Sequence, residues 1–309
     1  MLVLGRDGFS RRNKVAPACA ALAASLLVLV AASAVAGCGG NDEEASQEQF
    51  TGVPLEQQDP GPVHVHGLGY DAKQDILYIA THTGMFELLR GEEKARRIGD
   101  SYQDTMGFTL VSPSVFLGSG HPDLRTKLPS HLGLITSTDR GRSWQSVSLL
   151  GKADFHVLRA QGRTVYGFDS RSERLLVSRN AGRRWQTLTP PEALVDLAID
   201  PKDARHLLAS GGAVLYESQD GGRRWKAVAS GLAGHLAWPT PGRAYVADLA
   251  GSFLTARRAS GPWRPRSSLR SPPAALLAVD ERTLFAALHD GTIVRSGNGG
   301  VTWEVRATP

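Results

Sequence analysis

The chain has very few cysteines, which limits how it can be stabilised. Only two of its 309 residues are cysteine, Cys19 and Cys38. Cys19 lies in an apolar N-terminal run of the kind found in cleaved leaders, so we predict no disulfide within the folded part. With 41% hydrophobic residues the chain can instead bury a large core, in one or two domains.

A strong excess of one charge is also missing. The formal net charge is +5, but the first 37 residues hold four basic residues and one aspartate, which leaves the rest at +2. The high isoelectric point is therefore partly a property of the leader. Nothing in this balance predicts nucleic acid as a partner.

The N-terminus carries an export pattern. An apolar run, residues 15–37, ends in Val35-Ala36-Gly37-Cys38, which resembles the lipobox of bacterial lipoproteins. The resemblance implies a signal peptide over 1–37, a lipid on Cys38 and attachment to the outer face of a bacterial membrane. A transmembrane anchor is the alternative, because the run is long enough to span a bilayer. The positive n-region before the run consists of Arg6, Arg11, Arg12 and Lys14.

Residues 38–61 are polar, acidic and punctuated by glycine and proline. That composition is typical of a flexible tether. We therefore place a single domain in residues 62–309.

A repeat of about forty residues decides the predicted fold. The frame Ser-x-Asp/Asn-x-Gly-x-x-Trp ends at Trp144, Trp185 and Trp225, which lie 41 and 40 residues apart, and again at Trp303. A degenerate copy ends at Trp263, and a copy without the frame occupies 64–99, which makes six units. Each unit reads as four short strands, so we predict an all-β, six-bladed β-propeller. A seven-bladed ring is the alternative if residues 48–60 add strand.

The frame resembles the Asp-box, or BNR repeat, of the sialidase superfamily. Its aspartate or asparagine can accept backbone N–H groups in an Asx-type turn, its glycine permits a positive φ, and its tryptophan fills the space around the turn. We interpret the boxes as structural rather than as Ca²⁺ or sugar sites. The predicted box residues are Asp139, Trp144, Asn180, Trp185, Asp220, Trp225, Asn298 and Trp303.

The histidines are distributed unevenly over this predicted ring. In propeller topology, the start of the first strand and the link between strands two and three open on one face, here called the top face. Eight of the nine histidines fall there, and only His206 falls on the opposite face. The eight are His64, His66, His82, His121, His131, His156, His235 and His289.

Histidine nitrogens and carboxylate oxygens together suit Zn²⁺, Cu²⁺ or Fe. His64 and His66 are two residues apart on a strand and can share a face, about 6.5–7 Å apart. We expect His66 in particular to face the channel axis, and the 121–131 insertion to lie over the channel mouth as a lid. Asp154 with His156, and His289 with Asp290, can form carboxylate–histidine pairs that support a metal ligand. The alternative is that these histidines are hydrogen-bonded links between blades.

Other functions remain open from the sequence. A glycoside hydrolase would use two carboxylates of the top face, but the chain lacks an Arg-Ile-Pro element and the arginines of a sialidase. The pattern also resembles exported, His-rich propeller lipoproteins labelled glycosylhydrolase-like, and a monomeric scaffold for a protein or small-ligand partner is a third possibility. The candidate catalytic carboxylates are Asp104, Asp123, Asp169, Asp196 and Asp248.

Overall fold

In a computed structural model, residues 59–309 are described. The predicted signal peptide, the lipidation site Cys38 and all but the last three residues of the tether lie outside this range. The described chain forms six antiparallel sheets of four strands, and in each sheet the strands follow chain order.

The first three blades contain strands β1 to β12. Blade one comprises β1 (Val65–Asp71), β2 (Ile76–Thr81), β3 (Gly84–Leu88) and β4 (Arg96–Arg97). Blade two comprises β5 (Asp104–Ser112), β6 (Val115–His121), β7 (Leu134–Ser137) and β8 (Gln145–Ser148). Blade three comprises β9 (Phe155–Gln161), β10 (Thr164–Asp169), β11 (Arg174–Ser178) and β12 (Gln186–Leu188).

The other three blades contain strands β13 to β24. Blade four comprises β13 (Leu194–Asp200), β14 (Asp203–Gly211), β15 (Val214–Ser218) and β16 (Lys226–Ser230). Blade five comprises β17 (Gly234–Thr240), β18 (Arg243–Asp248), β19 (Ser252–Ala256) and β20 (Arg264–Ser268). Blade six comprises β21 (Pro273–Ala278), β22 (Leu284–Leu288), β23 (Ile293–Ser296) and β24 (Glu304–Ala307).

The burial of each strand follows its place in the blade. The second strands are almost wholly buried, as in β2 and β22, because each is covered on both faces by neighbouring blades. Their sequences are accordingly continuous apolar runs rather than alternating ones. The fourth strands, such as β16, are largely exposed at the rim.

The ring closes between the last blade and the first. One core cluster joins Val65, Leu77 and Phe86 of blade one to Phe285 and Ala307 of blade six. The fold is therefore a six-bladed β-propeller, which confirms that prediction over the seven-bladed alternative. Among residues 59–309, no helix is long and apolar enough to span a bilayer.

The end of the predicted tether contacts blade one. The guanidinium of Arg97 pairs with the carboxylate of Asp59. The hydroxyl of Thr83 donates to the carbonyl of Gly61 at 2.6 Å. The chain is thus held against the first blade from residue 59 onward.

The four boxes form the same turn between the third and fourth strands. In the box of blade three, the Ser178 hydroxyl accepts the Gly182 N–H at 2.9 Å, and the Asn180 side chain accepts the Arg184 N–H at 2.8 Å. Gly182 has a φ of +80°, and a side chain there would lie 2.0 Å from a Leu134 methyl group. Equivalent bonds to Asp139, Asp220 and Asn298 close the other three turns.

The boxes also join neighbouring blades. The indole N–H of Trp185 donates to the Ser148 hydroxyl at 2.9 Å, and Ser148 in turn donates to the carbonyl of Gly182 at 2.6 Å. Ser267 makes the same pair of bonds to Trp303 and Gly300 of the next blade. Each of these boxes is therefore fastened to the outer strand of the preceding blade.

Candidate metal centres on the top face

The innermost strands of most blades share an irregularity near their first residues. Five of the six have a β-bulge at the point where the strand enters the sheet. A bulge inserts an unpaired residue and redirects its side chain. The bulged residues are His66, Met106, His156, Val195 and Ala274 in blades one, two, three, four and six.

The ends of the second strands supply further histidines, which face the first strand of the next blade. His82 and His289 directly follow the second strands of blades one and six, and His121 ends the second strand of blade two. The aspartates Asp104 and Asp154 stand where the first strands of blades two and three begin. A histidine of one blade is thereby brought opposite an aspartate of the next.

Cluster one consists of His66, His82 and Asp104, at the junction of blades one and two. The Nδ1 of His82 lies 2.9 Å from the Oδ2 of Asp104. The Nε2 of His66 lies 3.5 Å from its Oδ1. The His82 side chain is 58% exposed, so the cluster is open to solvent on that side.

Cluster two consists of His121, Asp154 and His156, at the junction of blades two and three. The Nε2 atoms of His156 and His121 lie 3.1 and 3.7 Å from the Oδ2 of Asp154. His131 is beside this cluster, with its Nδ1 3.9 Å from the same oxygen. The Asp154 side chain is only 5% exposed.

Both clusters contain buried polar atoms that lack a hydrogen-bond partner. They are the His66 Nε2 and Asp104 Oδ1 of cluster one, and the His131 Nδ1 and Asp154 Oδ1 of cluster two. A buried polar atom without a partner costs about 1–3 kcal/mol. Because ring nitrogens and carboxylate oxygens face each other here, a cation bound between them would satisfy both.

Asp154 is held ionised by its neighbours. Burial alone would raise its pKa, but the hydrogen bond from His156 and the electrostatic influence of the His156 and His121 rings bring the pKa below its usual value. A hydroxyl hydrogen bond from Ser170 acts in the same direction. An ionised, buried carboxylate among imidazoles is a suitable metal ligand.

The remaining top-face histidines line the mouth of the channel. His64, His235 and His289 surround a cavity of about 200 Å³ together with His66. A second cavity, of about 430 Å³, is lined mainly by apolar residues of the innermost strands, and His66 and His235 border both cavities. His66 thus faces the channel as well as cluster one.

His235 is fixed differently from the cluster histidines. Burial lowers its pKa, although the carboxylate of Asp196, with an oxygen 3.9 Å from its Nδ1, opposes that shift. A neutral ring is therefore favoured. His206, predicted on the opposite face, lies between Asp200 and Glu217, with ring-nitrogen distances of 2.9 and 2.7 Å.

The candidate catalytic carboxylates have different environments. Asp104 belongs to cluster one, and the other four accept hydrogen bonds that hold the fold. Asp123 binds the Tyr102 N–H and the Arg125 guanidinium, and these bonds place its pKa well below the usual range. The further donors are the Asp154 N–H to Asp169, the Arg159 guanidinium to Asp196, and the Ala250 and Ser252 N–H groups to Asp248.

The sequence places Asp104 and Asp154 among the carboxylates of the histidine-rich face but does not indicate which histidines each one meets. Asp104 was a catalytic candidate and Asp154 a supporting partner, whereas both lie among the histidine nitrogens. The short motif Asp154-Phe155-His156 was visible in the sequence. The bulge at His156, which brings the two side chains together, was not.

The fold has known counterparts, although no protein-family model and no curated protein matches the chain. A GH74 enzyme from Niastella koreensis is similar with a TM-score of 0.59 at 15% identity, over 79% of this chain and 45% of that one. A chain of a nidogen/laminin complex gives 0.59 at 13% identity, over 76% and 93%. YCF48 bound to a D1 peptide gives 0.51 at 15% identity, over 80% and 83%. The chain spans less than half the length of the GH74 chains, and at these identities the likeness concerns the fold alone.

Proposed function

We propose that this protein is an exported, lipid-anchored β-propeller that binds divalent transition-metal ions at its top face. The observation that supports this most is the convergence of two histidines and an aspartate, twice, at successive blade junctions. The nitrogen and oxygen donors favour zinc, copper or iron over Ca²⁺ or Mg²⁺. Cavities at the channel mouth leave room for a small ligand next to the metal.

The ligand separations are compatible with a metal site. Ligand atoms at about 2.0–2.1 Å from a tetrahedral metal lie about 3.3 Å from one another. The separations between the ring nitrogens and the two aspartates, 2.9 to 3.7 Å, are distributed around that value. Small side-chain adjustments would therefore admit an ion in either cluster.

Metal analysis of the full-length protein tests the proposal. After incubation with Zn²⁺ and removal of loosely bound ions, we expect two zinc ions per chain, and none in the double variant Asp104→Ala/Asp154→Ala. His289→Ala removes a histidine of the same face that belongs to neither cluster and should leave the stoichiometry at two. Equal metal content in the wild type and the double variant would refute the proposal.

The anchoring is tested separately. Cys38→Ser removes the proposed lipid attachment, so the protein should leave the membrane fraction when cells are fractionated. If the variant stays in the membrane as fully as the wild type, an uncleaved transmembrane anchor accounts better for the N-terminal run.

A glycoside hydrolase is the second candidate, motivated by the GH74 likeness in fold. Four of its five candidate carboxylates are already engaged in hydrogen bonds within the fold. A general acid and base would need at least one of them to be free. Turnover of a glycoside that is lost in Asp104→Ala would favour this candidate over metal binding.

A further inference from the structure

The 121–131 insertion is the one long link on the top face of the described ring. Between β6 and β7 the chain takes twelve residues, 122–133, whereas the other five links between second and third strands take two to four. A link this long inside a regular repeat calls for a structural reason. Its two ends lie at cluster two, since His121 starts the insertion and His131 closes it.

Both ends of the insertion are anchored. Near the start, the Asp123 carboxylate accepts the Tyr102 N–H at 2.8 Å and pairs with Arg125. At the end, the carbonyl of His131 accepts the Gly151 N–H at 2.8 Å. Between these anchors, Lys127 and the residues up to Ser130 are exposed. His131 is thus presented to cluster two by a fixed backbone.

The insertion also sets the proton position on His121. The Nδ1 of His121 lies 2.9 Å from the carbonyl oxygen of Ser130. A carbonyl can only accept, so Nδ1 carries the hydrogen and, in the neutral ring, Nε2 presents its lone pair. That lone pair faces the Oδ2 of Asp154 at 3.7 Å. A backbone carbonyl that fixes the tautomer in this way is the usual support of a metal-ligating histidine.

Three ring nitrogens surround one carboxylate in this arrangement. The nitrogens of His156, His121 and His131 lie 3.1, 3.7 and 3.9 Å from the Oδ2 of Asp154. The Nδ1 of His131 and the Oδ1 of Asp154 are buried without a partner. His131 lies just outside the group of three whose ligand atoms are all within 4.8 Å of one another. A small inward movement of its ring would complete the four donors of a closed, tetrahedral site.

We propose that His131 is the fourth ligand of the metal at cluster two, so that the bound ion fastens the 121–131 insertion across the site. This inference rests on the proposed metal binding and adds a specific ligand and a consequence. Cluster one has no equivalent, because the link that begins with His82 is only two residues long. Cluster two therefore releases its ion more slowly than cluster one, which has three ligands and an exposed histidine.

Cleavage by trypsin measures how firmly the 121–131 insertion is held at cluster two, because the insertion exposes Lys127 followed by Leu128. The experiment uses the full-length protein carrying Asp104→Ala, which leaves only cluster two. Zn²⁺ should bind at one ion per chain and slow cleavage after Lys127 at least tenfold. His131→Ala added to this background should weaken Zn²⁺ binding at least tenfold and abolish the protection. Leu124→Ala, a fully exposed residue of the same insertion, is the matched control and should change neither.

The possible failures separate the two proposals. If no Zn²⁺ binds to the wild type, the proposed function fails. If one Zn²⁺ binds in the Asp104→Ala background but cleavage after Lys127 is not slowed, His131 is not a ligand and this inference fails while the function stands. The second result needs no His131 variant, so it holds even if that variant misfolds. Co²⁺ absorption gives an independent readout, since loss of a protein ligand alters its tetrahedral spectrum.

Discussion

Two kinds of buried carboxylate stand between blades, and they differ in their donors. Asp196 in blade four is 2% exposed and accepts hydrogen bonds from three blades. Arg159 of blade three donates at 2.5 Å, Leu197 of its own blade at 2.7 Å, and the Leu236 N–H of blade five at 2.9 Å. Both oxygens are satisfied, and the side chain joins three consecutive blades.

Asp104 and Asp154 are buried at earlier junctions with incomplete donor sets. Each has one oxygen without a partner, and the nearest side chains are imidazoles. Burial of a carboxylate is tolerated when donors compensate for lost hydration, as they do at Asp196. Where they do not, as at Asp104, the site is suited to a cation. The same residue type thus fastens the ring in one half and forms candidate metal sites in the other.

The largest expected effect comes from removing the carboxylate of Asp196, which joins three blades. Asp196→Ala removes the acceptor of one guanidinium nitrogen of Arg159 and of two backbone N–H groups inside the ring. We expect the free energy of unfolding to fall by about 3–5 kcal/mol, as for one partner removed from a buried ion pair. Urea unfolding at pH 7 with a chelator present measures it.

Asp104→Ala is the matched control under the same metal-free conditions. It removes a carboxylate whose main donor, His82, is exposed enough to bind water instead. The expected loss is less than about 1 kcal/mol. If the two variants are equally destabilised, the contrast between satisfied and unsatisfied carboxylates is wrong.

Adding metal should give the loss of Asp104 a cost that is absent without metal. A ligand at one hundred times its dissociation constant stabilises the native state by about 2.7 kcal/mol for each site. Zn²⁺ should therefore stabilise the wild type through both clusters and Asp104→Ala through cluster two alone. Thermal or urea unfolding with and without Zn²⁺ gives the difference. An equal gain in wild type and in Asp104→Ala/Asp154→Ala would place the ion elsewhere.

The fold could be predicted because the repeat of about forty residues determines both the blades and their number. Box turns depend on side chains within seven residues of one another, as in Ser178, Asn180 and Trp185, and a six-unit pattern can close its core only as a ring. The prediction that box side chains accept backbone N–H groups in these turns matches the observed bonds. The second-strand runs likewise marked the buried centre of each blade.

For the candidate site, only the face of the ring that carries it could be predicted from the sequence. Which histidines meet depends on a bulge of one residue at His66 and His156, and a register shift of this size leaves little trace in the sequence. The grouping is also set across blades, since His121 and Asp154 are 33 residues apart in the chain but share one junction. A ring of eight histidines was therefore expected where the structure has two clusters and a cavity.

The smallest expected effect concerns the carboxylate of Asp139, on the face opposite the two clusters. It has its hydrogen-bond partners, but an asparagine can take its place. Desolvation works against its ionisation, but hydrogen bonds from Ser143 and Ser137 hold the pKa of Asp139 at about 2, below its ordinary value of 3.8. Asn180 and Asn298 occupy the same position in other boxes without a charge. Asn298 even donates to Thr302 at 2.9 Å, where Asp139 accepts from Ser143.

Asp139→Asn should therefore lower the free energy of unfolding at pH 7 by only about 0.5 kcal/mol, because solvent screens this partly exposed turn. A pKa lowered in the folded state stabilises above the unfolded value and loses that contribution as the pH falls through the folded one. The wild type should thus lose its advantage over the variant between about pH 4 and pH 2. Urea unfolding of both proteins across this range measures the difference directly. Asn180 shows that an uncharged residue is accommodated at the equivalent position of another box. A difference that stays constant down to pH 2 would mean that the shape of the turn, and not the charge of Asp139, carries the stabilisation.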